Sequence, residues 1–97
     1  MTFSLLAYDA ETGRFGAGAA TGSLCVGGWV LRGDLASGLS ASQGTSPSTV
    51  WGEGVLARMR DGMSAQEAVA TTIAPDAGRA YRQLAAIDPK GSTFAFT

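Results

Sequence analysis

Histidine is absent from the 97 residues of this sequence, and cysteine occurs only once, as Cys25. The first absence excludes Ser-His-Asp and Cys-His catalysis within the chain and removes the commonest zinc ligand. One cysteine cannot form an internal disulfide, which fits a cytoplasmic protein, and Cys25 is expected to be a small core residue and not a nucleophile. Any catalysis by this chain therefore needs another kind of general base.

Charge is scarce and balanced, with seven basic residues against eight acidic ones and no run of either sign. This balance argues against a nucleic-acid partner or an anionic membrane surface. No stretch approaches the roughly 18 apolar residues of a membrane span. Residues 1–6 lack the basic region of a signal peptide. No cluster of metal-ligating residues is evident, so neither a metal nor a cofactor is expected.

Apolar residues and glycine are plentiful: 45% of the chain is hydrophobic and 14 residues are glycine. This composition is typical of a packed globular chain with tight turns. Residues 2–8 and 14–20 predict a hairpin around a turn at 9–13, where Asp comes early and Gly13 takes the position that needs positive φ. Residues 24–31 and 35–42 predict a second strand pair.

Two helices follow, each with a recognisable start. Ser46 and Pro47 predict an N-cap and first helical residue, with Trp51, Val55 and Met59 on one face. Ser64 begins a capping box, and this second helix should end before Pro75. Strands at 81–87 and 92–97, joined by a type I turn at 88–91, complete the order β-β-β-β-α-α-β-β.

This order predicts an α+β fold, an antiparallel sheet with two helices on one face. The second helix offers Val69 and Ile73 to the core. The other face of the sheet also reads as apolar, and a chain of this length cannot easily cover both faces of six strands. We therefore expect a further polypeptide segment on the far side.

Short motifs along nearly the whole chain resemble the domain-of-unknown-function family 1028. They are MTFS at 1–4, DAETG at 9–13, VGG at 26–28, ASQ at 41–43, WG at 51–52, GMSAQEA at 62–68, RQ at 82–83, DPKG at 88–91 and FAFT at 94–97. The resemblance implies an N-terminal-nucleophile hydrolase fold, a four-layer α-β-β-α sandwich, of which residues 1–97 would form the N-terminal, α-subunit-like half. Arg32, Ala36 and Ser46 depart from the family pattern, so the substrate of a relative does not carry over.

In that class of fold, a Thr, Ser or Cys with a free α-amino group opens a strand and uses its own amine as general base. Thr2 is the candidate here, since Met before Thr is readily removed. The alternative is that a precursor is cut after Thr97 and the nucleophile is the first residue of the following chain. Without removal of Met1, Thr2 is an ordinary strand residue.

Several polar residues are candidates for substrate binding. Ser42, Gln43 and Gly44 end the predicted fourth strand, where a backbone N–H and an amide could stabilise an oxyanion; a plain polar turn is the alternative. Ser23 could donate to a substrate. Arg82 could pair with a buried carboxylate, bind a substrate carboxylate or be solvated, whereas Asp9 is expected to be a turn residue.

Together these features predict part of an amidohydrolase for a small amide, ureide or short peptide. A second polypeptide from the same precursor, released by autoproteolysis, would complete it, and further oligomerisation is expected. The alternatives are a non-catalytic structural subunit and a binding module that uses the small-sided strand at 16–20 as its floor.

Overall fold

A computed structural model describes all of residues 1–97 and contains two antiparallel sheets, three α-helices and one 3₁₀ turn. The elements in chain order are β1 (Thr2–Asp9), β2 (Arg14–Thr21), α1 (Val26–Val30), β3 (Leu31–Asp34), β4 (Gly38–Gln43), α2 (Thr49–Arg60), α3 (Ala65–Ile73), a 3₁₀ turn (Arg79–Tyr81), β5 (Gln83–Ile87) and β6 (Thr93–Phe96). The α+β prediction is confirmed, but the strands form a pair and a four-stranded sheet.

The β1–β2 hairpin closes as predicted. Its register runs from Thr2 opposite Thr21 to Asp9 opposite Arg14. Gly13 adopts φ 71°, and its N–H donates to the Asp9 carbonyl at 2.8 Å. The Asp9 carboxylate accepts from the Thr12 hydroxyl and the Glu11 N–H, and these bonds lower its pKa below the ordinary value. Asp9 is therefore the turn residue that the sequence predicts.

The four-stranded sheet has the order β3-β4-β5-β6, and α2 and α3 cover one of its faces. Trp51, Val55 and Met59 of α2 and Val69 of α3 are buried in one core with residues of β5, as predicted, whereas the predicted core residue Ile73 is only partly buried at its edge. Phe96 of β6 meets the Trp51 ring edge-on at 6.2 Å between ring centroids. This layer contains the main hydrophobic core.

The hairpin lies on the opposite face of that sheet. Along β4, Ser40 and Ser42 donate to backbone carbonyls at the α2 side, whereas Gln43 bonds to β1. Successive side chains of a strand point to opposite faces, so α2 and β1 must lie on different sides. The chain is thus three layers: helices, sheet, hairpin. Phe3 and Leu5 project from the outer face of the hairpin and are 68% and 70% exposed.

The predicted strand at 24–31 is wrong. Residues 26–30 form the short helix α1, and only Leu31–Asp34 is extended. Cys25 adopts the left-handed conformation with φ 57°, and the N–H groups of Gly28 and Trp29 turn back to its carbonyl. Two adjacent glycines favour such a turn over a strand. The order is therefore β-β-α-β-β-α-α-β-β, with Ser23 before a helix and not at the start of a strand.

Helix α2 begins later than predicted. Its N-cap is Ser48, whose hydroxyl accepts from the Trp51 N–H at 3.2 Å. Ser46 is instead bound to the segment before β5, because its N–H donates to the Tyr81 carbonyl. Pro47 thus precedes the cap. The strand predicted from Tyr81 also begins later, at Gln83, because residues 79–81 form the 3₁₀ turn.

Helix α3 and the last hairpin agree with the sequence. The Glu67 N–H donates to the Ser64 hydroxyl at 3.2 Å, and that hydroxyl donates to the Glu67 carboxylate at 3.0 Å. The helix ends at Ile73, before Pro75. The Gly91 N–H closes the last turn on the Asp88 carbonyl. None of the helices combines the length and apolar character needed to cross a lipid bilayer.

Candidate functional site

The largest cavities lie where β1 and β5 begin and β2 and β4 end. Two adjoining cavities of about 580 and 490 Å³ form one cleft there. The residues that line both cavities are Thr2, Thr21, Ser23, Gly44 and Thr45. Three of the predicted site residues, Thr2, Ser23 and Gly44, therefore meet at the centre of the cleft.

Thr2 is held at this position from both sides. Its hydroxyl donates to the Thr21 hydroxyl at 3.0 Å, and Thr21 donates in turn to the Met1 carbonyl at 3.0 Å. The Thr2 carbonyl accepts a 2.8 Å hydrogen bond from the Gln43 side-chain amide. The first strand residue is thus tied to its own hairpin and to the second sheet.

Gln43 has no hydrogen-bond donor left for a substrate. Its amide nitrogen donates to the Thr2 carbonyl and to the Gln83 side-chain oxygen at 3.0 Å. Its amide oxygen accepts from the Ser4 hydroxyl at 2.7 Å. An amide nitrogen carries two protons, and both are used. In this arrangement Gln43 positions Thr2 and does not serve as the oxyanion donor that the sequence suggested.

Gly44 has a backbone donor that the protein itself does not use. Its φ is +132°, a conformation that residues with a side chain rarely adopt. A Cβ at this position would stand 2.6 Å from the Tyr81 carbonyl oxygen. The Gly44 N–H donates to no group of the protein, and the residue lines both cavities. A free N–H at a cleft wall can stabilise a developing oxyanion.

Arg82 lines the larger cavity and is half of an ion pair. Its Nη1 donates to both Asp76 carboxylate oxygens, at 3.1 and 2.9 Å. Of the three alternatives for Arg82, the structure therefore shows pairing with a carboxylate, but the Asp76 side chain is partly buried and not fully so. The guanidinium also stacks over Trp51, 5.8 Å from the ring centroid. Nη2 has no protein acceptor, and the buried Nε has none either. Hydrogen-bonding capacity therefore remains on this side chain.

Ser42 and Cys25 lie elsewhere than the sequence suggested. Ser42 is fully buried on the helix side of the sheet and donates to the Ser48 carbonyl at 2.7 Å, so it does not line the cleft. Cys25 is exposed, and its expected place in the core is wrong. Residues 1–97 contain no group of three His, Cys, Asp or Glu side chains arranged to hold a metal ion.

Thr21, Thr45 and Trp29 are cleft residues that the sequence did not single out. Thr21 was predictable, because a turn that pairs Asp9 with Arg14 also pairs Thr2 with Thr21. Trp29 reaches the cleft because residues 26–30 form a helix, whereas the sequence pattern predicts a strand there. Nothing in the local sequence marks Thr45.

The fold and cleft define a mixed α+β protein with two antiparallel sheets and a polar site at the start of its first strand. This chain belongs to the family described as a family of unknown function (DUF1028), whose sequence profile matches residues 2–97. It is similar to the crystal structure of protein SPO2555 from Silicibacter pomeroyi, of the same family, with 64% identity and a TM-score of 0.96.

The match covers 99% of this chain but only 42% of the Silicibacter chain, so this chain spans less than half the length of that relative. A search of curated proteins found no match.

Proposed function

We propose that residues 1–97 are the nucleophile-bearing half of an N-terminal-nucleophile amidohydrolase for small amides. The observation that supports this most is the position of Thr2. It opens β1 and lines both cavities, and Gly44, whose N–H has no protein acceptor, lines the same cavities. The chemistry needs no histidine, in keeping with a chain that has none.

The reaction requires removal of Met1, which frees the Thr2 α-amine. That amine takes the proton of the Thr2 hydroxyl as Oγ1 attacks the amide carbon. The Gly44 N–H donates a hydrogen bond to the carbonyl oxygen and stabilises the negative charge that develops there. The C–N bond then breaks, the leaving amine takes the proton from the α-amine, and an ester remains on Oγ1. Water, deprotonated by the same amine, hydrolyses the ester and restores Thr2.

The other nucleophile, on a residue that follows Thr97 in a cleaved precursor, would start beside the same cleft, because Thr97 lines the larger cavity. The Silicibacter relative carries its matching region within a longer chain. This continuity favours Thr2 as the nucleophile, because cleavage after the position of Thr97 would have divided that chain into two polypeptides. We expect a second polypeptide, and a higher oligomer built with it, only if the precursor is found to be cleaved after Thr97.

The missing layer of the sandwich is the second part of the proposal. Phe3 and Leu5 lie on a hairpin face whose partners across the strands are Ala20 and Gly18. Small residues opposite large apolar ones form a surface onto which a helix can pack closely. We propose that the additional chain length seen in the Silicibacter relative covers this face and makes the fold the α-β-β-α sandwich.

The nucleophile can be located without knowing the substrate. The complete protein would be treated with a β-lactone, which acylates an N-terminal threonine by opening of its strained ring. Peptide mapping should place the adduct on Thr2 and find Met1 absent. Thr2→Ala should take up no label, whereas the matched control Thr93→Ala, an exposed threonine on β6, should label fully.

If the label is found on the first residue of a second polypeptide, the nucleophile is that residue and not Thr2, and the precursor is cleaved. A protein that keeps Met1, consists of one chain and takes up no label would favour the non-catalytic alternative. The binding-module alternative has less support, since a Cβ at Gly16 or Gly18 would meet nothing within 4 Å and the cavities described above lie elsewhere. A cytoplasmic location stays a proposal that fractionation of the host cell can test.

A further inference from the structure

The hydroxyls of Thr2 and Thr21 form a pair on the inner face of the β1–β2 hairpin. The two residues stand directly opposite each other across the strands. Thr2 and Ser4 lie two apart in β1 and so share a face, and the Ser4 hydroxyl bonds to Gln43 of the four-stranded sheet at 2.7 Å. Both threonines are partly buried and line both cavities of the cleft. The hydroxyl pair therefore lies at the cleft, on the side of the hairpin that faces the second sheet.

The hydrogen bonds of this pair have a fixed direction. The Met1 carbonyl oxygen takes part in a 3.0 Å bond with the Thr21 hydroxyl, and a carbonyl can only accept. A threonine hydroxyl carries one proton, so the Thr21 proton is used in the bond to Met1. The Thr2 hydroxyl must then be the donor in the 3.0 Å bond between the two side chains. A chain of two hydrogen bonds thus runs from Thr2 Oγ1 through Thr21 Oγ1 to the Met1 carbonyl.

This chain of bonds ends beside the backbone nitrogen of Thr2. In a peptide group the carbonyl oxygen stands about 2.3 Å from the nitrogen, because the C=O and C–N bonds are about 1.23 and 1.33 Å long. Removal of Met1 takes away the acceptor of the Thr21 proton, and the same cleavage turns that nitrogen into a free amine. The new amine offers a lone pair on the side where the carbonyl oxygen was.

Direct transfer from the Thr2 hydroxyl to the amine of the same residue has poor geometry. A hydrogen bond between these two groups closes a five-membered ring, in which the angle at the proton falls well short of the roughly 150° that hydrogen bonds prefer. The two links through Thr21 join atoms of different residues and carry no such ring constraint. A path through the Thr21 hydroxyl is therefore the better route for the proton.

We propose that Thr21 relays the proton of the Thr2 hydroxyl to the α-amine. This inference rests on the proposed hydrolase function and adds the residue that connects its nucleophile with its base. As Thr2 Oγ1 forms its bond to the amide carbon, its proton passes to Thr21 Oγ1, and the Thr21 proton passes to the amine. Thr21 ends the step as a neutral hydroxyl, and the ammonium group later supplies the proton that the leaving amine takes. With Met1 in place the path ends at a carbonyl oxygen, which is not a base.

Acylation of Thr2 by β-butyrolactone measures the relay without a known substrate. The complete protein and its variants would be made behind a cleavable fusion whose removal leaves Thr2 as the first residue. Thr21→Val keeps the shape of the side chain without its hydroxyl and should slow the acylation by about 100-fold or more, the usual contribution of one proton-transfer group. Thr21→Ser restores the hydroxyl and should react within about threefold of the unaltered protein. Thr93→Val, the same change at an exposed strand position outside both cavities, should have no effect.

Solvent isotope effects distinguish a relay from a purely structural role of Thr21. In mixtures of H₂O and D₂O, the acylation rate of the unaltered protein should curve downward as the deuterium fraction rises, because two protons move in one step. Thr21→Val should give a straight line and a smaller isotope effect. The measurement on the unaltered protein decides the question even if Thr21→Val does not fold.

Equal acylation rates for Thr21→Val and the unaltered protein would overturn the relay and leave Thr2 as the nucleophile. A straight line for the unaltered protein in the isotope experiment would do the same, as would a loss of rate in Thr21→Val that Thr21→Ser does not restore. Absence of any adduct on Thr2 in the unaltered protein would refute the hydrolase itself. The two proposals therefore fail by different results.

Discussion

Gln43 links several strands through both the nitrogen and the oxygen of its side-chain amide. Two donor bonds reach Thr2 and Gln83, and one acceptor bond comes from Ser4. Thr2 and Ser4 belong to β1 and Gln83 to β5, so the side chain of this β4 residue links three strands. A network in which every polar group is satisfied rigidifies the structure, and one altered member leaves several groups without partners.

Replacing Gln43 by Glu tests this network. The carboxylate would face the Thr2 carbonyl and the Gln83 side-chain oxygen, two acceptors to which it cannot donate. The free energy of unfolding should fall by about 1–3 kcal/mol, measured by urea denaturation. The matched control Gln66→Glu, on the exposed side of α3, should change it by less than about 0.5 kcal/mol. Equal effects would mean that the network does not matter for stability.

For single residues, the sequence predicted several of the polar residues that lie near Thr2, but it did not predict the direction in which each side chain points. Thr2, Ser23, Gly44 and Arg82 line the cleft as proposed from the sequence. Ser42 and Gln43 were assigned to one site, although neighbours in a strand point to opposite faces. Only the packing of α2 decides which of the two faces the core. The free N–H of Gly44 likewise follows from tertiary contacts.

Helix and strand boundaries depend on capping and turn contacts. The start of α2 shows this, because both Ser46 and Ser48 are chemically suitable caps. Ser48 is chosen since its backbone is extended, with φ −120°, and its hydroxyl reaches Trp51. The strand predicted at 24–31 failed for a related reason, because a left-handed Cys25 and two glycines turn the chain before an extended segment can begin. Both ends of α3 could be predicted from the sequence, because Ser64, Glu67 and Pro75 lie within or next to the helix itself.

Two serine variants separate the alternative starts of α2. Ser48→Ala should lower the free energy of unfolding by about 1 kcal/mol, the usual cost of losing an N-cap. Ser46→Ala should be close to neutral, since only its backbone is hydrogen bonded. Thermal unfolding followed by circular dichroism measures both. A larger loss for Ser46→Ala would restore the start that the sequence suggested.

An ion pair between Asp34 and Arg60 joins the β3–β4 turn to the end of α2. Burial acts to raise the pKa of Asp34, but hydrogen bonds from Ser37 and the charged Arg60 outweigh it, so the pKa lies below its ordinary value of 3.8. Arg60 donates to Asp34 and to the Ser37 hydroxyl, each at 2.9 Å. A carboxylate with a lowered pKa stabilises the folded state above 3.8, and this contribution disappears as the pH falls through its folded pKa.

The melting temperature of Asp34→Asn should therefore fall less on acidification from pH 5 to below pH 3.8 than that of the unaltered protein. Part of the acid loss should persist, because Asp9 also has a lowered pKa. The matched control Asp61→Asn removes an exposed carboxylate that makes no hydrogen bond and should keep the full acid dependence. Parallel curves for the unaltered protein and Asp34→Asn would contradict the assignment.

Over the whole molecule, the layers are unequally covered. One face of the four-stranded sheet is covered by helices and the other by the hairpin, whose outer face is apolar and bare. The sequence predicted that a further segment must cover apolar surface. It could not predict that the bare surface belongs to the hairpin, because that depends on how the strands divide into two sheets.

Leucines at two exposed positions test the missing layer. In the complete protein, Leu5→Asp should lower the free energy of unfolding by about 2 kcal/mol or more if another layer covers the hairpin. Leu35→Asp, at a turn, should have little effect. The two side chains are similarly exposed in residues 1–97, at 70% and 79%, so a difference between them reports on the rest of the protein. Equal tolerance would leave the outer face uncovered.

The bonds from Gln43 to Thr2 and Gln83 span 41 and 40 residues of sequence. They also determine when the cleft can exist. A ribosome releases the N-terminal strand first, but the wall that holds Thr2 is incomplete until residue 83 has emerged and the last strands have paired. Contacts this distant in sequence form late in folding. If Thr2 is the nucleophile proposed above, it would thus remain without its supporting wall until residue 83 has been synthesised and paired.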